Sequence, residues 1–215
     1  MNHKERMLAG LPYLAALDGL REERLKCKKL IYRFNNLEPD RREEAVSLIK
    51  ELFGSTGQRV SVGTPFHCDY GWNIFVGENF SANYNLTILD VGKVTIGSNV
   101  MFGPNVSIFT AGHPIHPETR ASKYEYGIPV TIGDNVWVGG CSVILPGVTI
   151  GNNVVIGAGS VVTKDIPDNV VAVGNPCRVT KNITEEDKRF YYKDRLFDDD
   201  AWADVNRILS MYIDE

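Results

Sequence analysis

His113 is the residue of this chain whose type and setting best fit proton-transfer chemistry. It lies in the string TAGHP, directly after a repeating apolar pattern breaks off, and loops that leave a regular scaffold often carry functional groups. An imidazole titrates near neutral pH and can accept a proton from a hydroxyl, so His113 is a candidate general base. From the residues alone, a histidine that merely caps a turn before Pro114 fits equally well.

Polar side chains that could hold a ligand occur on both sides of His113. They are Asp69 in CDYGWN, Asn83 in SANYN, Asp90 in ILDVG and Glu125 in YEYG. Carboxylates and amides can hydrogen-bond the hydroxyl groups of a ligand, and a carboxylate can also orient an imidazole. The alternative for these residues is a corner position in a repeat or, for Glu125, a solvated loop charge.

A zinc site built from His67, His113 and His116 is another alternative. His67 is distant in the sequence, and Pro114 lies between the other two histidines. We therefore predict no metal site. Nearby aromatic side chains suit either the face of a sugar ring or plain packing; they are Tyr70, Trp72 and Tyr84.

The bulk composition narrows the class of protein. With 215 residues and 43% hydrophobic residues, the chain suits one core domain with appendages. A net charge of −4 offers no basic field for nucleic acid or an anionic membrane. No apolar run approaches the roughly 20 residues that span a bilayer. The charged start MNHKERMLAG lacks a signal core, and the four cysteines are scattered, which together favour a cytoplasmic protein with reduced thiols.

A period of six residues dominates positions 58–181. One apolar series starts at Val76 and resumes after an insertion, and a second inward series follows it by four residues. The first series is Val76, Ala82, Ile88, Ile96, Phe102, Ile108, Ile132, Val138, Ile144, Ile150, Ile156 and Val162; the second is Val136, Ser142, Val148, Val154, Ser160 and Ile166. Such a period predicts short strands that stack an aliphatic interior, with Gly, Asn or Asp at the corners.

Three segments of the chain do not follow the six-residue repeat. Residues 1–57 form a predicted helical cap, in which the apolar positions from Met7 to Leu17 have helical spacing. The phase is lost after Ile108 and returns at Ile132, so we predict an excursion within residues 109–131. Residues 182–215 form a predicted helical extension, with an apolar stripe that includes Trp202, Leu209 and Tyr212.

Several strings resemble the hexapeptide-repeat acyltransferases. They are VTIGSNVMFGPNV, VTIGDNVWVGGCSVILPGVTIGNNVVIGAGSVVTKDIP and VGNPCRV, with CDYGWNIFVGENFSANYN, TAGHPIHPETR, MLAG, RFN and LFG similar to the maltose and galactoside O-acetyltransferase branch. The resemblance covers roughly residues 5–181. It implies a mainly β fold, a left-handed parallel β-helix of triangular section, and a homotrimer with each active site between two subunits.

The same resemblance implies an acetyl-CoA-dependent O-acetyltransferase acting on a sugar hydroxyl, with acetyl-CoA as co-substrate and no tightly bound cofactor. His113 occupies the family's catalytic position, and direct transfer is expected because no G-x-S-x-G nucleophile motif is present. Asp69 and Asn83 match acceptor positions, while Asp90 and Glu125 are candidates to bind the acceptor or orient the imidazole. The candidates for binding CoA are Trp137, which should face outward between Val136 and Val138, and Gly140, Ala158, Thr163, Lys164, Arg178 and Lys181.

Two departures leave the acceptor open. Relatives carry a carboxylate just after the aromatic residue of the first helix, whereas here Tyr13 is followed by Leu14 and Ala15. Val91 after Asp90 is closer to the maltose type. An antibiotic, an amino acid or an amino sugar is therefore an alternative acceptor, and a catalytically silent β-helical scaffold is an alternative to enzyme function.

Overall fold

The chain consists of two compact units. The first spans Met1–Asn182, and the second begins at Ile183. The computed structural model describes residues 1–213. Three helices open the first unit: α1 (His3–Leu8), α2 (Leu20–Asn35) and α3 (Arg42–Leu52). Apolar side chains of α2 and α3, among them Phe34, Ile49 and Leu52, join the same core as the first strands. The two helices therefore close one end of the coil.

The prediction that the helical cap continues from Leu11 to Leu17 is wrong, although the apolar positions there have helical spacing. Helix α1 ends at Leu8, and the next helix begins at Leu20. Gly10 and Gly19 adopt φ angles of +69° and +81°, in the left-handed region that glycine enters without strain. The segment between them runs extended past Tyr13, whose backbone pairs with Glu125 of the distant excursion.

Short strands of two to five residues build the rest of the first unit. In chain order they are β1 (Val60–Val62), β2 (Phe66–Cys68), β3 (Ile74–Val76), β4 (Phe80–Ala82), β5 (Leu86–Leu89), β6 (Val94–Ile96), β7 (Met101–Phe102), β8 (Ser107–Phe109) and β9 (Ala111–Gly112). They continue with β10 (Tyr126–Gly127), β11 (Val130–Ile132), β12 (Trp137–Val138), β13 (Val143–Ile144), β14 (Thr149–Ile150), β15 (Val155–Ile156), β16 (Val161–Val162), β17 (Val170–Val173) and β18 (Arg178–Asn182).

These strands stack into three parallel faces. Their orders are β1-β4-β7-β12-β15-β17, to which β18 adds an antiparallel edge, β14-β11-β6-β3, and β16-β13-β8-β5-β2. Each pairing joins residues one coil apart, such as Val60 with Phe80 and Trp137 with Val155. The first unit is thus built on a parallel β-helix of stacked short strands, as the period of six predicts, and it has the left-handed form that the family resemblance implies.

The interior is formed by the two predicted inward series. All members of the first series, from Val76 to Val162, have exposed fractions between 0% and 8%. The second series is buried as well, and it includes two serines. The Ser142 Oγ donates to the Gly139 carbonyl at 2.7 Å and the Ser160 Oγ donates to the Gly157 carbonyl at 2.5 Å. The coil therefore satisfies its buried hydroxyls with its own backbone.

Asparagines turn the corners of the coil. Asn99, Asn135 and Asn153 have φ angles of +57°, +56° and +55°, and asparagine tolerates this left-handed region better than most residues. Their amides also form a ladder, in which each Nδ2 donates to the Oδ1 of the next coil at 2.8–3.1 Å from Asn79 to Asn169. One residue type thus supplies both the turn and the link between coils.

We expect Asn135→Val to lower the free energy of unfolding by about 1–2 kcal/mol, because a β-branched residue is strained at positive φ and the ladder is broken. Asn135→Gly removes the ladder but keeps the turn, so its loss should be smaller. Urea denaturation of both variants at equal protein concentration checks this, and equal losses would contradict the conformational argument.

The excursion leaves the coil after β8 and rejoins it at β11. Strands β9 and β10 pair antiparallel within it, with Gly112 opposite Tyr126, and the short helix α4 (Pro117–Ala121) lies between them. A Cβ on Gly112 would lie 2.4 Å from the Tyr126 ring, so any larger residue at position 112 would displace that ring. The pairing fixes His113, just after β9, opposite Tyr124 and Glu125, just before β10.

The second unit contains a 3₁₀ helix (Glu185–Arg189), a hairpin of β19 (Phe190–Tyr192) and β20 (Arg195–Leu196), and helix α5 (Asp199–Ile213). The extension is therefore not purely helical. Rings of Phe197 and Trp202 lie 5.8 Å apart in this unit. Leu209 on the predicted stripe is exposed, and Tyr212 lies outside the residues whose side chains are described.

Candidate active site

His113 has one ring nitrogen bound and the other available. Its Nδ1 lies 3.0 Å from the Tyr124 carbonyl oxygen. A carbonyl only accepts, so Nδ1 carries the hydrogen and the neutral ring keeps the lone pair of Nε2. The side chain is 50% exposed and borders an open depression beside α4. This tautomer is the one that a base acting through Nε2 requires.

Glu125 lies on the side of the imidazole that would receive a proton. Its Oε2 is 3.8 Å from His113 Nε2, and the side chain is largely buried. A carboxylate at this distance favours the imidazolium that forms when Nε2 takes a proton. The group that orients the ring through Nδ1 is therefore the Tyr124 carbonyl, a backbone atom that residue types alone do not reveal.

Asp69 lies near the same carboxylate. Burial raises the pKa of Asp69 above its usual range; the positive charges of Arg24 and Lys28 oppose this effect, and the charge of Glu125 adds to it. Arg24 also lies 5.9 Å from the centre of the Tyr70 ring and donates to the Ala15 carbonyl at 2.6 Å. Helix α2 of the cap thus contributes cations to the surroundings of Asp69, a contribution that the sequence analysis missed.

Asp90 has a different setting from the other predicted acceptor residues. It is fully buried, and its carboxylate accepts backbone N–H groups of Asp69, Tyr70 and Gly71 at 2.7–2.9 Å. Burial raises its pKa to about 6, against the lowering effect of these donors. Since the side chain is buried and both of its oxygens accept backbone N–H groups, the geometry supports a role for Asp90 in holding the turn that carries Asp69 and Tyr70.

Asn83 and Trp137 share a second depression, on the longest face of the coil. Its lining includes both residues together with Tyr84 and Met101. Trp137 faces outward as predicted and is 52% exposed. The Asn83 Oδ1 accepts the Tyr84 N–H at 2.8 Å. This depression shares no lining residue with the one beside His113, so one chain does not bring all the predicted acceptor residues together.

The remaining candidates for CoA binding lie toward the carboxyl end of the coil. Gly140 is stacked under the next coil through the Gly159 N–H, which donates to its carbonyl at 2.9 Å. A Cβ at Gly140 would lie 2.9 Å from the Pro104 carbonyl oxygen, so a side chain at this position would press on the backbone of the preceding coil. The other candidates are exposed, and they are Ala158, Thr163, Lys164, Arg178 and Lys181.

Two of the cysteines lie close together in the core of the first unit. Cys27 and Cys68 are buried with their sulfurs 3.5 Å apart, and burial raises the pKa of Cys68. Among residues 1–213, no group of three His, Cys, Asp or Glu side chains is arranged to hold a metal ion. Within the same range, no helix has the length and apolar character to cross a bilayer.

Comparison with known proteins places this architecture in a family. The maltose acetyltransferase hexapeptide capping motif matches residues 6–57, and the bacterial transferase hexapeptide family, as six repeats, matches residues 129–164. The galactoside O-acetyltransferase of Escherichia coli K12 is 52% identical over 190 residues, which are 88% of this chain and 94% of the relative.

Solved structures agree with these matches. A maltose O-acetyltransferase from Clostridium difficile 630 has a TM-score of 0.85 at 58% identity, over 86% of this chain and 99% of that one. A galactoside acetyltransferase in complex with coenzyme A has a TM-score of 0.89 at 50% identity, over 92% of this chain and 99% of that one. The chain therefore belongs to the maltose and galactoside O-acetyltransferase branch of the hexapeptide-repeat acyltransferases, a family of acetyl-CoA-dependent O-acetyltransferases.

Proposed function

We propose that this protein transfers the acetyl group of acetyl-CoA directly to a hydroxyl of a sugar, with His113 as the general base. The observation that carries the proposal is the 3.0 Å contact of His113 Nδ1 with the Tyr124 carbonyl oxygen, which leaves Nε2 available at an open depression. The identity to galactoside and maltose O-acetyltransferases supports the sugar as acceptor.

The reaction needs one proton acceptor because the thioester is already activated. The sugar oxygen attacks the thioester carbonyl carbon while Nε2 takes the hydroxyl proton, forming a tetrahedral oxyanion. Collapse of this intermediate breaks the C–S bond, and the imidazolium returns the proton to the departing CoA sulfur. Glu125, 3.8 Å from Nε2, stabilises the imidazolium between these steps.

CoA is proposed to lie along the exposed corner of the coil. Gly140 and Ala158 allow the backbone to approach a pantetheine arm closely, and Trp137 offers an exposed apolar face beside it. Thr163 and Lys164 come shortly after Ala158 in the chain. The side chains of Lys164, Arg178 and Lys181 supply positive charge for the phosphates of CoA. The coenzyme A complex of the related galactoside acetyltransferase supports this choice of donor.

A homotrimer is proposed to complete each site. The depression beside His113 and the one that holds Asn83 and Trp137 are separate on a single chain. Met101 and Trp137 pair on neighbouring strands and expose 54% and 52% of their area, which is costly unless another surface covers them. Contact between subunits brings His113 of one chain toward Asn83 of the next.

Complementation between subunits tests this assembly. Neither His113→Ala nor Asn83→Ala homotrimers should turn over at a normal rate, but co-expressed chains should regain activity, because some sites then combine an intact His113 with an intact Asn83. A site contained in one chain predicts no recovery, since every chain carries one defect. Analytical ultracentrifugation of the wild-type protein checks the trimer itself.

An acceptor screen tests the proposed function as a whole. Purified protein is incubated with acetyl-CoA and a panel of maltose, galactosides, glucose, amino sugars and amino acids, and the release of CoA thiol is followed. Ester formation on a sugar oxygen is the expected result. Transfer only to amines, or absence of CoA binding by calorimetry, would overturn the proposal. Because acetyl-CoA is a cytoplasmic metabolite, we further propose a cytoplasmic location.

A further inference from the structure

Two thiol groups meet where the helical cap packs on the coil. Cys27 of α2 and Cys68 of β2 are 2% and 9% exposed, and their sulfur atoms lie 3.5 Å apart. The Cys27 Sγ also lies 3.8 Å from the Cys68 carbonyl oxygen. The Cys27 S–H can therefore donate to that oxygen while the Cys68 S–H donates to the Cys27 sulfur. Neither thiol takes part in the proposed transfer reaction.

The surrounding backbone holds the two sulfurs side by side. At the carboxyl end of α2, Asn35 Nδ2 donates to the Phe66 carbonyl at 2.9 Å, and the Phe66 N–H donates to Asn35 Oδ1 at 2.9 Å. This reciprocal pair fixes α2 against β2 about two helical turns beyond Cys27. Strand β2 is in turn paired with β5 over three residues that end at Cys68. The thiol contact is therefore set by the packing of a helix on a strand.

The spacing of the two sulfurs suits a covalent link. A disulfide has a sulfur–sulfur distance of about 2.05 Å, so the two atoms need to approach by about 1.5 Å. The link joins positions 41 residues apart and encloses α3 and β1 in the closed loop. A disulfide stabilises mainly by restricting the unfolded chain, and the effect grows with the length of the loop.

We propose that Cys27 and Cys68 form a redox-responsive dithiol, which a peroxide converts into a disulfide that fastens the cap to the coil. The inference goes beyond the acetyl transfer proposed above and does not depend on it. The dithiol is the resting form in a reducing compartment, where such links form transiently. Burial raises the pKa of Cys68, so its thiol is protonated at rest and reacts through local opening of the cap.

The oxidation balances with one molecule of hydrogen peroxide. The Cys68 thiol, the more exposed of the two, loses its proton, and the sulfur attacks one peroxide oxygen. The O–O bond breaks, which leaves a sulfenic acid and a hydroxide that takes up the proton to form water. The Cys27 sulfur then attacks the sulfenic sulfur, the S–O bond breaks, and a second water leaves with the Cys27 proton. Dithiothreitol reverses the link by thiol–disulfide exchange.

Peptide mapping of the full chain tests whether the link forms. Purified protein is treated with hydrogen peroxide, denatured and alkylated, and its unreduced digest is analysed by mass spectrometry. The expected product is the Cys27 peptide joined to the Cys68 peptide, which dithiothreitol separates. Cys141 is exposed and reports that the oxidant was effective. Oxidised Cys141 together with alkylated Cys27 and Cys68 would overturn the proposal.

Melting temperatures measure the consequence for the fold. Oxidised wild type should melt about 5–15 °C above the reduced protein. Cys27→Ala and Cys68→Ala should show no redox-dependent shift, and each variant is compared with itself, so a lower basal stability does not affect the result. Cys141→Ser is the matched control and should keep the full shift. A mapped link with equal melting temperatures in both redox states would contradict the fastening of the cap.

Discussion

Replacement of His113 by alanine is expected to lower kcat by about 10²–10⁴-fold, the usual contribution of a positioned general base. The imidazole is held by one hydrogen bond to the Tyr124 carbonyl and is half exposed, so its removal should leave the fold intact. Steady-state kinetics with acetyl-CoA and the best sugar measure the loss, and calorimetry should show unchanged CoA affinity because the proposed CoA surface lies elsewhere on the coil.

His116→Ala is the matched control for this prediction. His116 is an exposed histidine three residues away, at the start of α4, and no side-chain cap bond is formed there. We expect kcat of this variant within about twofold of wild type, as for surface substitutions away from a site. A His113→Ala enzyme that also turns over near the wild-type rate would remove His113 as the base.

The second large effect is expected from Asp90→Ala, which should lower the free energy of unfolding by about 3–5 kcal/mol. The substitution leaves the N–H groups of Asp69, Tyr70 and Gly71 buried without their acceptor. It should also abolish most activity, because this turn carries Asp69, which matches an acceptor position of the family. Urea denaturation at fixed protein concentration and the acetyl-transfer assay measure the two losses.

Two further variants sharpen the interpretation of Asp90. Asp90→Asn keeps one acceptor oxygen and should lose less stability than Asp90→Ala. Asp134→Ala removes an exposed carboxylate that accepts the Ser98 N–H at 2.6 Å, and its loss should stay below about 1 kcal/mol. Equal stability of Asp90→Ala and Asp134→Ala would contradict the role assigned to the buried carboxylate.

Much of the fold could be predicted from the sequence because burial in a β-helix repeats along the chain. The inward positions from Ile132 to Val162 recur every six residues, and each is buried. Prediction was wrong where a segment was interpreted by spacing alone. Leu11 to Leu17 have helical spacing, but left-handed Gly10 and Gly19 and the pairing of Tyr13 with Glu125 keep the segment out of a helix, and turns follow from Ala15 onward.

The candidate site was only partly predictable, because its contacts join parts of the chain that the repeat does not connect. The position of His113 after a break in the repeat indicates a functional loop. Its tautomer depends on a backbone carbonyl, and its carboxylate neighbour depends on the hairpin of β9 and β10. Asp90, a candidate to orient the imidazole, instead binds the turn at residues 69–71. Residue types do not distinguish these outcomes, since both carboxylates suit either role.

The sequence by itself determined the coil and its inward residues, because both depend on a pattern that recurs every six residues along the chain. It also made His113 the candidate base, through its position after the break in that pattern and the resemblance to the family. Only the tertiary structure decided that Glu125 lies 3.8 Å from Nε2 and that Tyr13 of the cap pairs with Glu125 through the backbone. These residues are up to 112 positions apart in the chain. They come together because the backbone of the cap pairs with the backbone of the excursion. This pairing joins distant parts of the chain and produces no repeating pattern in the sequence.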